Sequence, residues 1–317
     1  MYLNSYFCKT TTNNLKAVAI ILVILGHLGL INYAGAWGVG IFLILSGYGL
    51  TQSYIKSGLD GFFKKRILSV VLPYSIVTFI WICIDYIFGR KYSILTIITS
   101  MIGLNFKSVI DTTMWYIPFL LLWYIAFFCI FKVFKNDCIK ILSIFVFSYI
   151  VYYNIYEFFD PNVGVRLYTL LFPIGVTLVF IFSRELKISQ NNLKNILGNS
   201  IILSFILFSI SLNRSHIYSY YTLTIIMFSI MIISIFISVY SFDSKILSFI
   251  GKISFELYLI EGVFINKYNF IFKFINNRFL SLLIYFILIF TLSYIFHILI
   301  TRVNKSIHYL DKKGLMN

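Results

Sequence analysis

The chain has few charged residues and very few acidic ones: 12% of its 317 residues are charged, and Asp and Glu together number only 11. Soluble domains carry about 25% charged residues, so this composition excludes an ordinary soluble protein. No polar stretch is long enough to fold alone, which excludes a separate soluble domain. Because 60% of the residues are hydrophobic, we predict an all-α, polytopic membrane helical bundle that forms a single domain over residues 1–317.

Cysteine is also scarce, and its placement excludes two further classes of site. The four cysteines show neither paired nor metal-ligand spacing, so we predict no disulfide framework, no zinc site and no other metal. The first apolar stretch lacks a small-residue cleavage site and is interpreted as a retained helix. Neither solenoid repeats nor inverted repeats are visible, which argues weakly against a secondary transporter fold.

Ten apolar stretches predict about ten transmembrane helices. If the N-terminus is cytoplasmic, eighteen of the 26 Lys and Arg residues fall on the inner side, so the positive-inside rule predicts that both termini are cytoplasmic. The net charge of +15 is then a topology signal, and no nucleic-acid partner is expected. The composition is compatible with an AT-rich bacterial genome, and we expect the protein in a bacterial cell (plasma) membrane. The stretches are 15–32, 36–55, 67–88, 113–134, 139–156, 165–182, 198–213, 220–240, 249–266 and 279–301.

Lys16 and His27 are ionisable residues within the first apolar stretch. At ~100° and ~1.5 Å per residue they share one helix face and lie roughly 16 Å apart along it. We expect His27 about three-quarters of the way across the membrane, in its outer half. Ionisable groups are costly at that depth and therefore point to function. Alternatively, Lys16 extends to the interface and His27 bonds to a neighbouring helix.

Five motifs in order resemble the acyltransferase 3 family of integral membrane enzymes, which O-acylate surface sugars. The resemblance covers about residues 12 to 300. This chain departs from the family in having Lys16 where Arg is usual, Ser69 where a second Arg is common, and Glu261 where His is frequent. The first motif is Lys16 and His27 separated by ten residues, and the second is Gly38-Val39-Gly40-Ile41-Phe42 followed by Ser46-Gly47-Tyr48. The others are Lys64-Lys65-Arg66, then Met114-Trp115-Tyr116, and finally Ile250 to Gly262, which includes Tyr258 and Glu261.

The resemblance implies transfer of an acyl group, most simply acetyl from acetyl-CoA, to a hydroxyl of an envelope or capsular polysaccharide or its lipid-linked precursor. A neutral imidazole at His27 can accept the proton of a sugar hydroxyl that attacks a thioester. Basic side chains at the cytoplasmic level suit the phosphates of coenzyme A. The expected catalytic residues are His27, Ser46 and Glu261, the donor-binding residues Lys16, Lys64, Lys65 and Arg66, and the acceptor-binding residues Trp115, Tyr116 and Tyr258.

Simpler interpretations accompany each assignment. Lys64 to Arg66 could be a positive-inside anchor, and Ser46 could belong to a close helix contact with Gly47. A transporter or flippase of lipid-linked sugars would use Lys16, His27 and Glu261 as a relay, and a catalytically inactive relative would only bind a partner. The sequence also leaves homo-oligomerisation open.

Residues 89–112 contain an apolar run too short to span and are interpreted as an interfacial or re-entrant segment. His216, His297 and His308 are poorer candidates.

Overall fold

The computed structural model describes residues 8–183, 190–239 and 244–312, and these contain helices and turns without a strand. The all-α prediction is confirmed, as expected where the backbone must satisfy its own hydrogen bonds in lipid. Six helices in the described ranges are long and apolar enough to cross a membrane. The count of ten and the side of each terminus stay predictions. The six are Ala34–Ser57, Phe62–Ile87, Thr112–Val133, Asn192–Leu212, Tyr218–Ser238 and Arg278–Ile307.

The chain divides into two compact units by Cα proximity. Unit 1 comprises residues 1–60 and 119–252, and unit 2 comprises residues 61–118 and 253–317. In chain order the helices are α1 (Lys9–His27), α2 (Ala34–Ser57), α3 (Phe62–Arg66), α4 (Leu72–Ile87), α5 (Ile94–Met101), α6 (Tyr116–Val133), α7 (Asp137–Tyr153), α8 (Leu171–Ser183), α9 (Gln190–Leu212), α10 (Tyr218–Ser238), α11 (Lys245–Lys252), α12 (Ser254–Asn266), α13 (Phe270–Phe274) and α14 (Arg278–Lys312).

Helix α2 is the centre of unit 1, and glycines on its opposite sides let its neighbours approach closely. A Cβ at Gly38 would overlap the Ala19 carbonyl oxygen of α1, and a Cβ at Gly47 would overlap the Phe172 carbonyl oxygen of α8. Gly40 faces α10, and a step of two residues turns a helix by about 200°. Small residues bring backbones together where lipid supplies no hydrophobic drive between helices.

Gly47→Ala should therefore destabilise the protein by about 1–3 kcal/mol through overpacking against α8. Gly49 is the matched control in the same helix, because a Cβ there meets nothing within 4 Å. Gly49→Ala should be neutral or stabilising, since Ala has the higher helix propensity. The measurement is the thermal midpoint of detergent-solubilised protein by size-exclusion chromatography. Equal midpoints for the two variants would contradict the close α2–α8 contact.

Helix α1 begins before the predicted span 15–32. It starts at Lys9 because its polar first turns are buried in the structure and do not face lipid. Thr11 and Asn14 are at most 2% exposed, and Asn13 is 9% exposed. The Asn13 carbonyl oxygen lies so close to Gly251 of α11 that a Cβ at Gly251 would overlap it. Contacts with α11 thus extend the helix into polar sequence.

Helix α1 also ends before the predicted span does. Gly29 adopts a left-handed backbone with φ of +65°, its N–H bonds to the Gly26 carbonyl at 3.0 Å, and Leu30 N–H bonds to the Leu25 carbonyl at 3.0 Å. This pattern is a Schellman C-cap, which glycine favours. His27 consequently lies in the last turn of the helix, whereas the sequence predicted a position three-quarters of the way along a longer span.

The predicted ninth span, 249–266, is two helices that meet at Ile253. Helix α12 has 13 residues and is about 20 Å long, which is shorter than the ~30 Å hydrocarbon core. Its first turn contains Glu256, where the positive end of the helix dipole favours a carboxylate. The break gives Glu256 a place at a helix start, which the continuous span did not predict.

Helices α3 and α4 are joined by a π-helical segment, Ile67–Val71, that follows the basic residues directly. Leu72 N–H bonds to Ile67 O, five residues back. The next N–H in this pattern would bond to Leu68 O, but Pro73 has no N–H to give. Asn304 Nδ2 of α14 lies 3.5 Å from Leu68 O and supplies a donor instead.

Candidate active site

Lys16 and His27 both lie in α1, which runs without a break from one to the other. Their side chains are half-buried and about 16 Å apart along the helix axis. Ile20 and Val23 share the same face between them and are at most 1% exposed. The two ionisable groups are therefore separate points on one helix face, with packed apolar side chains between them.

Ser46 lies on α2 beside Gly47 and is half-buried. Close helix packing explains Gly47, which abuts α8. It does not explain Ser46, whose side chain leaves the helix about 100° away from that contact. Ser46 and Gly47 therefore face different directions, and the α8 contact of Gly47 does not account for Ser46.

The basic run forms α3 in unit 2. Lys64 and Lys65 are exposed, Arg66 is half-buried, and Phe62 anchors the short helix with 8% exposure. Ser69, which stands where the family often has Arg, donates its hydroxyl hydrogen bond to Lys65 O at 2.7 Å. Exposed ammonium groups of this kind can bind phosphate or face water, so the geometry agrees with both interpretations of the run.

Trp115, Tyr116 and Tyr258 come together in unit 2. The Trp115 and Tyr116 ring centroids are 6.3 Å apart, those of Tyr116 and Tyr258 are 5.7 Å apart, and both pairs are edge to face. Tyr116 and Tyr258 are buried, at 7% and 6% exposure, whereas Trp115 is half-buried. Trp115 therefore offers the most accessible ring of the three for contact with a ligand, and the two tyrosines support it.

The turn that carries Trp115 is fixed by hydrogen bonds to Thr113. Asp111 Oδ1 accepts from Thr113 N at 2.9 Å and from Thr113 Oγ1 at 2.7 Å. The Tyr258 hydroxyl donates to Thr113 O at 2.7 Å, across 145 residues of sequence. Asp111 and Tyr258 thus act on the position of Trp115 through the backbone of one residue.

A buried polar cluster around Asp85 was missed as a unit by the sequence analysis. The Asp85 side chain is fully buried, its carboxylate accepts from the Tyr92 hydroxyl at 2.7 Å and the Tyr268 hydroxyl at 2.5 Å, and it forms an ion pair with Lys267. Lys267 Nζ also donates to Ile110 O at 2.7 Å. Buried charges need such matched partners. We refer to Asp85, Tyr92, Lys267 and Tyr268 as the Asp85 cluster.

The tyrosines of the Asp85 cluster keep their protons. Burial raises the pKa of Tyr92 to about 12, and the hydrogen bond and charge of Asp85 act in the same direction. The same causes raise the pKa of Tyr268 above its ordinary value. Both hydroxyls therefore remain hydrogen-bond donors to Asp85 at neutral pH.

Two carboxylates of α12 contact α14. Glu261 is fully buried, and the Tyr285 hydroxyl lies 3.3 Å from its Oε2 and 3.3 Å from its backbone oxygen. Glu256 Oε1 lies 2.7 Å from His297 Nδ1, so a histidine that the sequence ranked as a poor candidate partners a buried carboxylate. Polar contacts of this type hold membrane helices together.

The candidate residues offer three kinds of chemistry. An imidazole at the end of α1 can accept a proton from a hydroxyl. Lysine and arginine side chains can hold phosphate, and the ring of Trp115 presents an apolar face with a polar edge. In residues 8–183, 190–239 and 244–312, no group of three or more His, Cys, Asp or Glu could hold a metal ion.

Comparison with known proteins identifies one family. A family model described as an acyltransferase domain matches residues 12–298. No significant match is found among curated proteins or among solved structures. The matched region begins in the first turns of α1, ends within α14, and contains every site residue described in this subsection.

Proposed function

Because the chain belongs to the acyltransferase 3 family, we propose that it transfers an acetyl group from acetyl-CoA to a hydroxyl of a cell-envelope glycan or its lipid-linked precursor. The family and the apolar helices together identify the chain as a membrane acyltransferase. In the proposal the protein lies in a bacterial cell membrane, the donor enters from the cytoplasm, and the acceptor approaches from the outer side.

The observation that carries the proposal is the unbroken helix from Lys16 to His27. It fixes a cation and a base-capable ring about 16 Å apart on one face. A coenzyme A molecule has phosphates at one end and a thioester at the other end of a long, thin arm. The separation suits a donor whose phosphates are held near Lys16 and whose thioester reaches the level of His27.

His27 acts as general base in this proposal. Its neutral imidazole accepts the proton of the acceptor hydroxyl while the oxygen forms a bond to the acetyl carbonyl carbon. The carbon–sulfur bond then breaks, and the imidazolium returns the proton to the coenzyme A sulfur. The products are an O-acetyl ester and free coenzyme A, and no acyl-enzyme is required. Ser46 and Glu261 are assigned supporting roles, and neither needs to act as nucleophile.

Donor binding is assigned to Lys16 and to the basic run Lys64, Lys65 and Arg66. Lys16 gives a point charge where relatives have the bidentate Arg fork, so its hold on a phosphate depends less on geometry. Acceptor binding is assigned to Trp115, with Tyr116 and Tyr258 behind it, because an accessible indole can stack on a sugar ring.

Protein reconstituted in liposomes with acetyl-CoA labelled in the acetyl group should transfer label to isolated envelope polysaccharide or lipid-linked sugar. Mild alkali should release the label, because O-acetyl esters hydrolyse under conditions that leave N-acetyl amides intact. Acetyl-CoA labelled in the adenine ring is the control and should transfer nothing. Sugar that crosses the membrane without consumption of donor would favour the transporter alternative and overturn the proposal.

A further inference from the structure

The chain after α4 turns back along α4. Tyr92 is hydrogen-bonded to Asp85 near the end of α4, so the chain leaves from that level. Helix α5 then packs against α4, and at its other end the Ser75 hydroxyl donates to Met101 O at 2.6 Å. Ser75 lies ten residues before Asp85, about 15 Å lower on the helix, and near the middle of the 26-residue helix Phe62–Ile87. Helix α5 therefore descends to the mid-level of a candidate span.

The chain returns to its starting level within nine residues of Met101. Lys267 Nζ, which is paired with Asp85, donates to Ile110 O at 2.7 Å. The level of Asp85 is therefore reached again at Ile110. Residues 94–110 enter and leave on one side of unit 2, and we call them the re-entrant hairpin.

The two arms of the re-entrant hairpin differ in character. The descending arm, α5, exposes Ile94, Leu95 and Ile98 by 76%, 72% and 53%, as lipid-facing residues do. The returning arm is not helical. Non-helical backbone at membrane depth is tolerated only when it is buried in protein or lines water. Lys107 on this arm is exposed, and a lysine ammonium needs water or a partner.

Ser108, next to Lys107 on the returning arm, also indicates contact with water or a ligand. Its backbone has a φ of +49°, a left-handed conformation that is uncommon outside glycine. The side chain is 6% exposed, and its Oγ has no hydrogen-bond partner in the described part of the chain. An unsatisfied buried hydroxyl in a native protein calls for water or a ligand group.

We propose that the returning arm, residues 102–110, borders a water-filled path by which the hydroxyl-bearing acceptor approaches from the side where α4 ends. Ser108 supplies a hydrogen bond along this path, and the Asp85 cluster closes the base of the hairpin. The identity of the acceptor rests on the proposed function. The presence of water along the arm does not.

Cysteine accessibility tests the proposal on the full chain, with Cys8, Cys83, Cys129 and Cys138 replaced by Ser. Leu104→Cys places a thiol on the exposed start of the returning arm, near the level of Ser75 and the middle of the helix Phe62–Ile87. Ile80→Cys is the control, because Ile80 is 44% exposed on α4 at a shallower level. A charged, membrane-impermeant methanethiosulfonate added on the side where α4 ends should modify Leu104→Cys at least tenfold faster than Ile80→Cys.

Equal rates, or modification of Leu104→Cys from the opposite side only, would overturn the water-filled path. Isolated envelope polysaccharide should slow the modification of Leu104→Cys, and fast labelling without such protection would overturn the acceptor's use of the path. If the acetyl-transfer assay fails while the labelling contrast holds, the proposed function is wrong and the hairpin's exposure stands. Lys107→Cys on the same arm provides a second position for the measurement.

Discussion

Replacing His27 by Ala should lower the rate of acetyl transfer at least about 100-fold, the usual contribution of a positioned general base. The protein should remain folded, because His27 is half-buried in the last turn of α1 and is not part of the buried core. The measurement is kcat with acetyl-CoA labelled in the acetyl group, together with the elution profile of the detergent-solubilised variant.

The place of His27 at the end of α1 gives a physical reason for the size of this effect. The carbonyl end of a helix carries partial negative charge, which stabilises a cation in its last turn. As the imidazole accepts the hydroxyl proton, it gains positive charge at that point. The helix end therefore stabilises the protonated imidazole that forms during the reaction. Alanine has no side-chain group that could accept the proton there.

Two further substitutions separate base catalysis from general damage. His216 lies exposed in the turn after α9, and His216→Ala should leave transfer unchanged. Lys16→Ala should raise the KM for acetyl-CoA about tenfold or more, the worth of a hydrogen bond to a charged group, with a smaller effect on kcat. Full transfer by the His27→Ala variant would show that another group is the base.

The class of fold could be predicted from composition and hydropathy because both are averages over stretches of sequence as long as a helix. The predicted span 36–55 falls within α2, Ala34–Ser57, and the predicted span 220–240 nearly coincides with α10. Helix α10 remains apolar up to Ile237, and α2 ends at Lys56 and Ser57 directly before Gly58. The residues that determine these boundaries are therefore visible in a local window of sequence.

Boundaries set by tertiary contacts could not be predicted in this way. The start of α1 is polar, and its burial comes from contacts with α11, such as that between Asn13 and Gly251. The break at Ile253 divides a stretch that hydropathy predicts as one span, 249–266. In contrast, Gly29 was a local signal for the end of α1, and a hydropathy window obscured it. A search for glycine C-caps would have found this end.

The candidate site shows the same division between local motifs and distant partners. Motifs with fixed spacing pointed to His27 and Trp115, because the residues of one motif lie close together in sequence. Their supports come from far away: Tyr258 reaches Thr113 across 145 residues, and Tyr285 reaches Glu261 across 24. No single-sequence pattern records such pairs.

Lys267→Met should have the largest effect on stability, a loss of about 3–5 kcal/mol, which is typical when one partner of a buried ion pair is removed. Asp85 is fully buried, and the Lys267 side chain is 11% exposed. Methionine fills a similar volume but leaves the carboxylate with only the half-exposed Arg90 guanidinium, 3.5 Å away, as a cation. It also removes the Lys267 donor to Ile110 O. The thermal midpoint should fall by roughly 5–10 °C. It can be measured by fluorescence-detected size-exclusion chromatography.

Lys273→Met is the matched control, since Lys273 is exposed in α13 and undergoes the same change of side chain and charge. Its thermal midpoint should stay near that of the parent protein. Adding Asp85→Asn to Lys267→Met should restore part of the lost stability, because the double variant no longer buries an unpaired charge. A double variant as unstable as the sum of its single variants would show that Asp85 and Lys267 act independently. The tyrosine hydroxyls and Arg90 would then be enough to hold the Asp85 carboxylate, and the base of the re-entrant hairpin would not depend on the Lys267 ion pair.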